Sequence, residues 1–250
     1  MSEAPQIRVG IGGWVFPPWR GVFYPTGLPQ ARELGYASRQ VTTIEINGTF
    51  YGPQKPASFR RWYDETPEDF VFSIKGPRFA THRSDLAAAG ETLERFFASG
   101  VLELRDKLGP ILWQFPPNTP ADDGAFAGFV ELLPECVDGR TVRHAVELRH
   151  PKIPIDRAVD LLRDRRAALV VGDGHADFET TADFIYVHLR RCNLEEPTGY
   201  PPDALDAWAR RLRERSSPEI LDCFVYFISG AKVRAPAAAQ ALLQRLTAPA

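Results

Sequence analysis

Apolar positions along the 250-residue chain follow two alternating periods. Short runs rich in β-branched and aromatic residues occupy 8–12, 42–47, 70–75, 111–115, 144–149, 168–172, 184–189 and 224–228. In several of them apolar and polar side chains alternate, the two-residue repeat of a strand. Between the runs lie stripes of 3.6-residue period. Leu93, Phe96, Phe97, Val101, Leu104 and Leu108 form one, and Phe126, Phe129, Val130 and Leu133 a shorter one. Ala158, Leu161 and Leu162 mark another over 156–166, followed by Leu205, Trp208, Ala209 and Leu212. Ala235, Ala238, Ala239, Leu242, Leu243 and Leu246 form the last. Eight strands separated by crossovers predict an α/β chain folded as a TIM-type (β/α)8 barrel, a single domain over 1–250, with a doubly wound open sheet as the competitor. Segment 173–183 is short, polar and without an apolar stripe, so the sixth helix is expected to be missing or a single turn.

The alternation also sorts the strand ends. Glu45 and Asn47 share a face opposite Ile44 and Ile46, and Ser73 and Lys75 lie opposite Phe72 and Ile74. Glu147 and Arg149 oppose Val146 and Leu148; Tyr186, His188 and Arg190 oppose Ile185, Val187 and Leu189; Gln114 sits between Trp113 and Phe115. Apolar faces meet the helices, so the polar set fills the barrel at the C-terminal strand ends, where barrel sites are built. One mouth lined by Glu45, Asn47, Lys75, Gln114, Glu147, Arg149, His188 and Arg190 is the expectation. Burying such groups is costly unless they pair or meet a ligand. The alternatives are therefore a binding site and an internal lattice of salt bridges.

Charge narrows the partners. Thirty Lys and Arg against 32 Asp and Glu leave −2, which argues against capture of nucleic acid or anionic membrane by the molecule as a whole. The first six residues have no basic start or apolar run, and no stretch reaches the ~20 apolar residues of a membrane span. Cys136, Cys192 and Cys223 are far apart and odd in number, as expected of reduced thiols in a cytoplasmic protein. No HExxH, Walker A, EF-hand or GxSxG pattern occurs, so no cofactor is expected.

Other candidates lie in the loops. Gly10 and Gly12 share a face and would let a ligand approach the backbone closely. Trp14, Trp19, Phe23 and Tyr24 form either an aromatic wall for a base or sugar or an apolar lid. Arg78, His82 and Arg83 follow the third strand as donors for a phosphate or carboxylate, although His82 reads equally as a loop imidazole bonded to backbone. Asp173, His175 and Asp177 have the composition of metal ligands and equally of a polar turn. Pro151 after His150 marks a sharp exit from the fifth strand.

These residues resemble the YecE-like family, known as domain of unknown function 72. The likeness is carried by Gly10-Ile11-Gly12-Gly13-Trp14, Trp19-Arg20-Gly21-Val22-Phe23-Tyr24-Pro25, Glu45-Ile46-Asn47-Gly48-Thr49-Phe50-Tyr51 and Thr66-Pro67-Glu68-Asp69-Phe70. Lys75, Thr81-His82, Leu108 to Pro117 and Glu147-Leu148-Arg149-His150 extend it over most of 7–150. The resemblance implies a TIM-type barrel and a bacterial or archaeal source, and brings no established activity. The C-terminal third departs from it. Such proteins run Tyr-x-Arg-x-His-Gly on the seventh strand, where this chain has Tyr186-Val187-His188-Leu189-Arg190-Arg191, and Asn-Asn-Asp after the eighth, where it has Ile228-Ser229-Gly230.

The residues support functions of different classes. One is an enzyme for a phosphate- or carboxylate-bearing substrate. Lys75, Arg149 and Arg190 would hold the anion, Glu45 or Glu147 would be general base, and His82 or His188 proton donor. Trp14, Trp19, Tyr24, Asn47, Tyr51 and Gln114 would complete the binding site. A metal-assisted phosphodiesterase or isomerase would use Glu45, His82, Glu147, Asp173 and His188 as ligands to a divalent ion, which Lys75 and Arg149 disfavour. A non-catalytic nucleotide or single-stranded nucleic-acid binder would stack bases on Trp14, Trp19, Tyr24 and Tyr51. A scaffold with a purely structural polar interior is the blandest reading.

Overall fold

Eight parallel staves close into a ring in the computed structural model, which describes residues 6–118, 122–149, 153–174, 179–215 and 219–248. They are β1 (Gln6–Gly12), β2 (Thr43–Ile46), β3 (Val71–Lys75), β4 (Leu108–Phe115), β5 (His144–Leu148), β6, β7 (Phe184–Leu189) and β8 (Asp222–Phe227). Stave β6 is split at Val170 into Ala168–Leu169, which pairs with β5, and Val171–Gly172, which pairs with β7. Since β1 pairs with both β2 and β8, and the two halves of β6 pair with β5 and β7, the barrel is nearly closed. All eight runs read from the sequence are strands. A small antiparallel hairpin, Cys136–Val137 with Arg140–Thr141, precedes β5.

Helices α1 (Glu33–Ala37), α2 (Gly48–Tyr51), α3 (Pro56–Glu65), α4 (Arg78–Thr81), α5 (Gly90–Ala98), α6 (Asp123–Leu132), α7 (Ile155–Asp164), α8 (Pro202–Arg215) and α9 (Ala235–Thr247) follow the strands. Alternation decides what they cover. Trp113 of β4 points outward, its ring 5.8 Å from Phe96 of α5 and 5.7 Å from Phe129 of α6. The side chain of Asp122 caps α6 by accepting from Ala125 N at 2.8 Å. Helix α7 buries Ala158, Val159 and Leu162 while Asp156, Asp160 and Arg163 stay exposed.

The stripe from Leu93 to Leu108 is not one helix. Helix α5 ends at Ala98, Gly100 turns with φ 97°, a 3-10 stretch runs over Val101–Lys107, and Leu108 opens β4. A Cβ on Gly100 would lie 2.8 Å from Pro56, so the chain bends there against the start of α3. Leu93, Phe96, Phe97, Val101 and Leu104 are buried all the same, because the turn carries the stripe round the same face. Between β6 and β7 the described residues, Asp173, Gly174 and 179–183, contain no helix. His175, Asp177 and the exit at His150 and Pro151 lie outside the described residues. No described helix is long and apolar enough to cross a membrane.

The interior is layered. At the floor Asp222 accepts from Arg143 at 2.6 Å and lies 3.7 Å from Arg8, and the Arg143 guanidinium stacks over Phe184 and Phe224. At the waist the Thr43 hydroxyl donates to Val71 O at 2.7 Å and lies 2.8 Å from the Tyr226 hydroxyl, which donates to Ser73 Oγ at 2.5 Å. Val71, Leu112, Ala145, Tyr186, Phe224 and Tyr226 fill the remaining space. The charged layer sits above them, at the C-terminal ends.

Candidate functional site

His188 on β7 is fully buried between two carboxylates. Its Nε2 lies 2.7 Å from Glu45 Oε2 on β2, and its Nδ1 3.3 Å from Glu147 Oε2 on β5. Tyr186, two residues earlier on the same face, donates to the same Glu45 Oε2 at 2.7 Å. Among the described residues nothing is hydrogen-bonded to Glu45 Oε1. Glu147 is engaged on both oxygens. Oε1 accepts from Arg149 Nε and Nη2, at 3.1 and 3.0 Å, and pairs with Arg190; Oε2 accepts from Gln114. The internal lattice is thus densest around Glu147 and reaches Glu45 through His188.

Lys75 ends β3 beside this network. Its Nζ lies 4.6 Å from the Phe50 ring centroid, and no described side chain accepts a hydrogen bond from it. Burial pulls the Lys75 ammonium below its ordinary range, Arg149 and Arg190 push the same way, and Glu45 opposes them. Burial alone would raise Glu45, but the imidazole of His188, Lys75 and the Tyr186 hydrogen bond bring it down from 4.5 to about 2. His82, exposed in the loop after α4, packs edge-on against the same Phe50 ring at 5.2 Å. Partial burial, then Lys75 and Arg78, hold its pKa below the usual 6.5.

A cavity of about 280 Å³ opens at the C-terminal ends of β1 and β2, lined by Gly12, Trp14, Asn47, Tyr51, Gln54 and Lys232. It unites three residues expected from the sequence, Trp14, Asn47 and Tyr51, with one that was not. Lys232 follows β8; burial lowers its pKa, and Glu45 acts in the other direction. Its Nζ lies 5.0 Å from the Phe16 ring and 5.5 Å from Trp19. The available signal was position alone, since loops after the last two staves often bind anions in this architecture.

Trp19 and Tyr24 are corrections. Both are buried, at 0% and 1% exposure, and neither can offer a face to a ligand. The Trp19 indole donates to Lys232 O at 2.9 Å and the Tyr24 hydroxyl to Trp14 O at 2.5 Å, so the pair forms the lid and fixes the loop that carries Trp14. Trp14 itself is half-buried against Trp62. The stacking set is thereby reduced to Tyr51, 69% exposed, and part of Trp14. Asp173 accepts from Arg190 N at 2.6 Å and from the Tyr200 hydroxyl at 2.7 Å, so it anchors the turn after β6. With Arg149 and Arg190 on Glu147 as well, the expected metal-ligand set does not converge, and no group of three or more His, Cys, Asp or Glu able to hold a metal ion occurs among the described residues.

Comparison with known proteins gives a consistent picture. The family model described as protein of unknown function DUF72 matches residues 8–250. The UPF0759 protein YecE of Escherichia coli (strain K12) is 28% identical over 148 residues, 59% of this chain and 50% of that one. The UPF0759 protein YunF of Bacillus subtilis (strain 168) is 27% identical over 117 residues, 45% of this chain and 40% of its own. The chain therefore spans about half the length, or less, of these curated relatives. A DUF72 family protein from Thermotoga maritima superposes with a TM-score of 0.72 at 24% identity, covering 95% of this chain and 97% of its own. One from Enterococcus faecalis gives 0.75 at 15%, covering both chains fully. A xylose isomerase-like TIM barrel/4-hydroxyphenylpyruvate dioxygenase fusion protein gives 0.54 at 14%, over 94% of this chain and 41% of that one. At these identities the structural likeness establishes the TIM-type fold alone.

Proposed function

The chain belongs to the family described as protein of unknown function DUF72, and from that premise we propose that its barrel mouth is the catalytic pocket of an enzyme acting by proton transfer on a small phosphate- or carboxylate-bearing substrate. The observation that carries the reading is the unequal use of two buried carboxylates. Glu147 is saturated by Arg149, Arg190, Gln114 and His188, whereas both hydrogen bonds to Glu45 converge on one oxygen and leave the other without a partner among the described residues. Glu45 is accordingly the proton acceptor, His188, held on the same Oε2 as Tyr186, the donor, and Glu147 a positioning residue.

Charge supports the anion. Lys75, Arg149, Arg190 and Lys232 are four cations against the two carboxylates Glu45 and Glu147, an excess of two that an incoming anion offsets. Among the described residues nothing accepts a hydrogen bond from either lysine ammonium. An anion beside Lys75 and Lys232 would weaken their field at Glu45 and raise its basicity from the resting value of about 2, so that substrate binding itself readies the base. Cys136 and Cys192 carry free thiols, which supports a reducing, cytoplasmic setting.

Melting in inorganic phosphate tests the reading. Compared with chloride at equal ionic strength, phosphate is expected to raise the Tm by several degrees. The shift should fall by more than half in Lys232→Met. It should persist or grow in Glu45→Gln, which removes a negative charge. Equal melting of the wild-type chain in the two salts would remove the anion from the proposal.

A further inference from the structure

We infer that Lys75 is an imine-forming amine, whose Nζ adds to the carbonyl carbon of a small anionic aldehyde, ketone or 2-oxo acid at the barrel mouth. The inference rests on the anion-binding reading for the charge of the substrate, and on the surroundings of Lys75 for the chemistry. The residue closes β3 at the C-terminal rim, and its backbone is pinned by Thr49, whose hydroxyl donates to Lys75 O at 2.7 Å. Its Nζ stands over the Phe50 ring with no hydrogen-bond acceptor among the described residues, within the field of Arg149 and Arg190. An amine that is desolvated, beside other cations and without a hydrogen-bond acceptor gains little by staying protonated, the condition under which lysine becomes a nucleophile. Glu45 is the opposing charge, and Lys75 nonetheless stays below its ordinary range.

Lys107 shows the contrast. Burial lowers its pKa too, but its Nζ donates to Tyr63 O at 2.7 Å, Thr66 O at 2.9 Å and Thr66 Oγ1 at 3.2 Å, acceptors of a kind that Lys75 lacks among the described residues. Beside Lys75, the imidazole of His82 lies on the same Phe50 ring and is kept neutral, so it serves as proton acceptor. The step balances without an oxidant or reductant. The Nζ lone pair forms the N–C bond while the carbonyl π pair moves to oxygen, which takes a proton. The nitrogen sheds a proton to His82. The hydroxyl of the resulting carbinolamine is protonated and leaves as water as the nitrogen lone pair forms the C=N bond.

Glyoxylate, a small anionic aldehyde, with cyanoborohydride as trap provides the test. The chain has five lysines, Lys55, Lys75, Lys107, Lys152 and Lys232, and the rate of modification at each is read by peptide mass mapping of the folded wild-type protein. Lys75 is expected to react about ten-fold faster than the exposed Lys55. In His82→Asn the rate should fall at Lys75 and stay unchanged at Lys55, with a thermal melt confirming that the variant is folded. Modification of Lys75 no faster than Lys55, or of Lys232 ahead of Lys75, overturns the inference. Inorganic phosphate separates it from the reading beneath it. Protection of Lys75 by phosphate supports both, whereas fast modification that phosphate does not slow leaves the amine standing and removes the anion site.

Discussion

A Gly10→Ala chain is expected to lose about 4 kcal/mol or more of stability, and to be recovered largely unfolded or insoluble. Gly10 lies in β1 between Thr43 of β2 and Tyr226 of β8. A Cβ there would sit 1.8 Å from Thr43 O and 2.6 Å from Thr43 C, both backbone atoms of the neighbouring stave. Thr43 cannot retreat cheaply, because its hydroxyl ties it to Val71 O and to the Tyr226 hydroxyl. Separating β1 from β2 would also break the ring that holds Glu45 over the barrel axis. Gly128→Ala in α6 is the control. Nothing lies within 4 Å of its added methyl, so helix propensity alone acts, and the change should be neutral or stabilising by up to about 1 kcal/mol. Urea unfolding of the two variants measures the difference. A Gly10→Ala midpoint within error of the wild-type value would show that the staves can part more easily than their pairing implies.

The barrel was legible because its information is periodic. Two-residue alternation places Glu45, Ser73, Lys75, Glu147, Tyr186 and His188 inward before any coordinates exist, and a parallel ring converts a shared face into a shared mouth. Where the signal is not periodic the reading fails. Trp19 and Tyr24 have the composition of a stacking platform, and only their hydrogen bonds to Lys232 O and Trp14 O show that they seal the lid. The stripe from Leu93 to Leu104 stays apolar through a change from α-helix to 3-10 turn, because burial follows the face and not the helix type. Lys232 stands in a loop without alternation, so nothing in its neighbourhood marks it. The division of labour between Glu45 and Glu147 was equally hidden, since both read as inward carboxylates. What separates them is the arginine pair on Glu147, which depends on where Arg149 and Arg190 reach across the rim.

That division bears on whether the polar interior is structural. At the floor, Arg8 and Arg143 both reach Asp222 and aromatic rings cover the Arg143 guanidinium, so two cations share one carboxylate, although Arg8 Nε has no hydrogen-bond partner among the described residues. At the mouth the same residue types leave a carboxylate oxygen and two half-buried ammonium groups without hydrogen-bond partners among the described residues. An interior selected for stability alone would favour the first arrangement at both ends, because a buried charge without a partner is costly.

Acid should weaken the fold in two successive windows. His144 is buried on the outer face of β5, where its Nδ1 accepts from the Trp113 indole at 3.0 Å and its Nε2 lies 2.8 Å from Pro134 O. That geometry fixes a neutral ring, and burial brings its pKa from 6.5 to about 4 against the pull of the Pro134 carbonyl. Below pH 6.5 the unfolded chain therefore takes up a proton that the native chain refuses, and stability falls until the pH reaches about 4. Glu45 acts lower down. Its native pKa of about 2 against 4.5 unfolded means that its contribution is complete above pH 4.5 and is lost as the pH falls toward 2. Each shift corresponds to a loss on the order of 3 kcal/mol across its window, a large share of the stability of an ordinary domain. Urea unfolding over a pH series separates them. His144→Phe should be less stable at neutral pH, with Trp113 Nε1 and Pro134 O left unpaired, yet flatter than wild type between about pH 6.5 and 4. Glu45→Gln should keep that upper slope and lose the lower one. A His144→Phe profile parallel to the wild-type curve through the upper window would show that the buried imidazole takes up its proton without unfolding the chain.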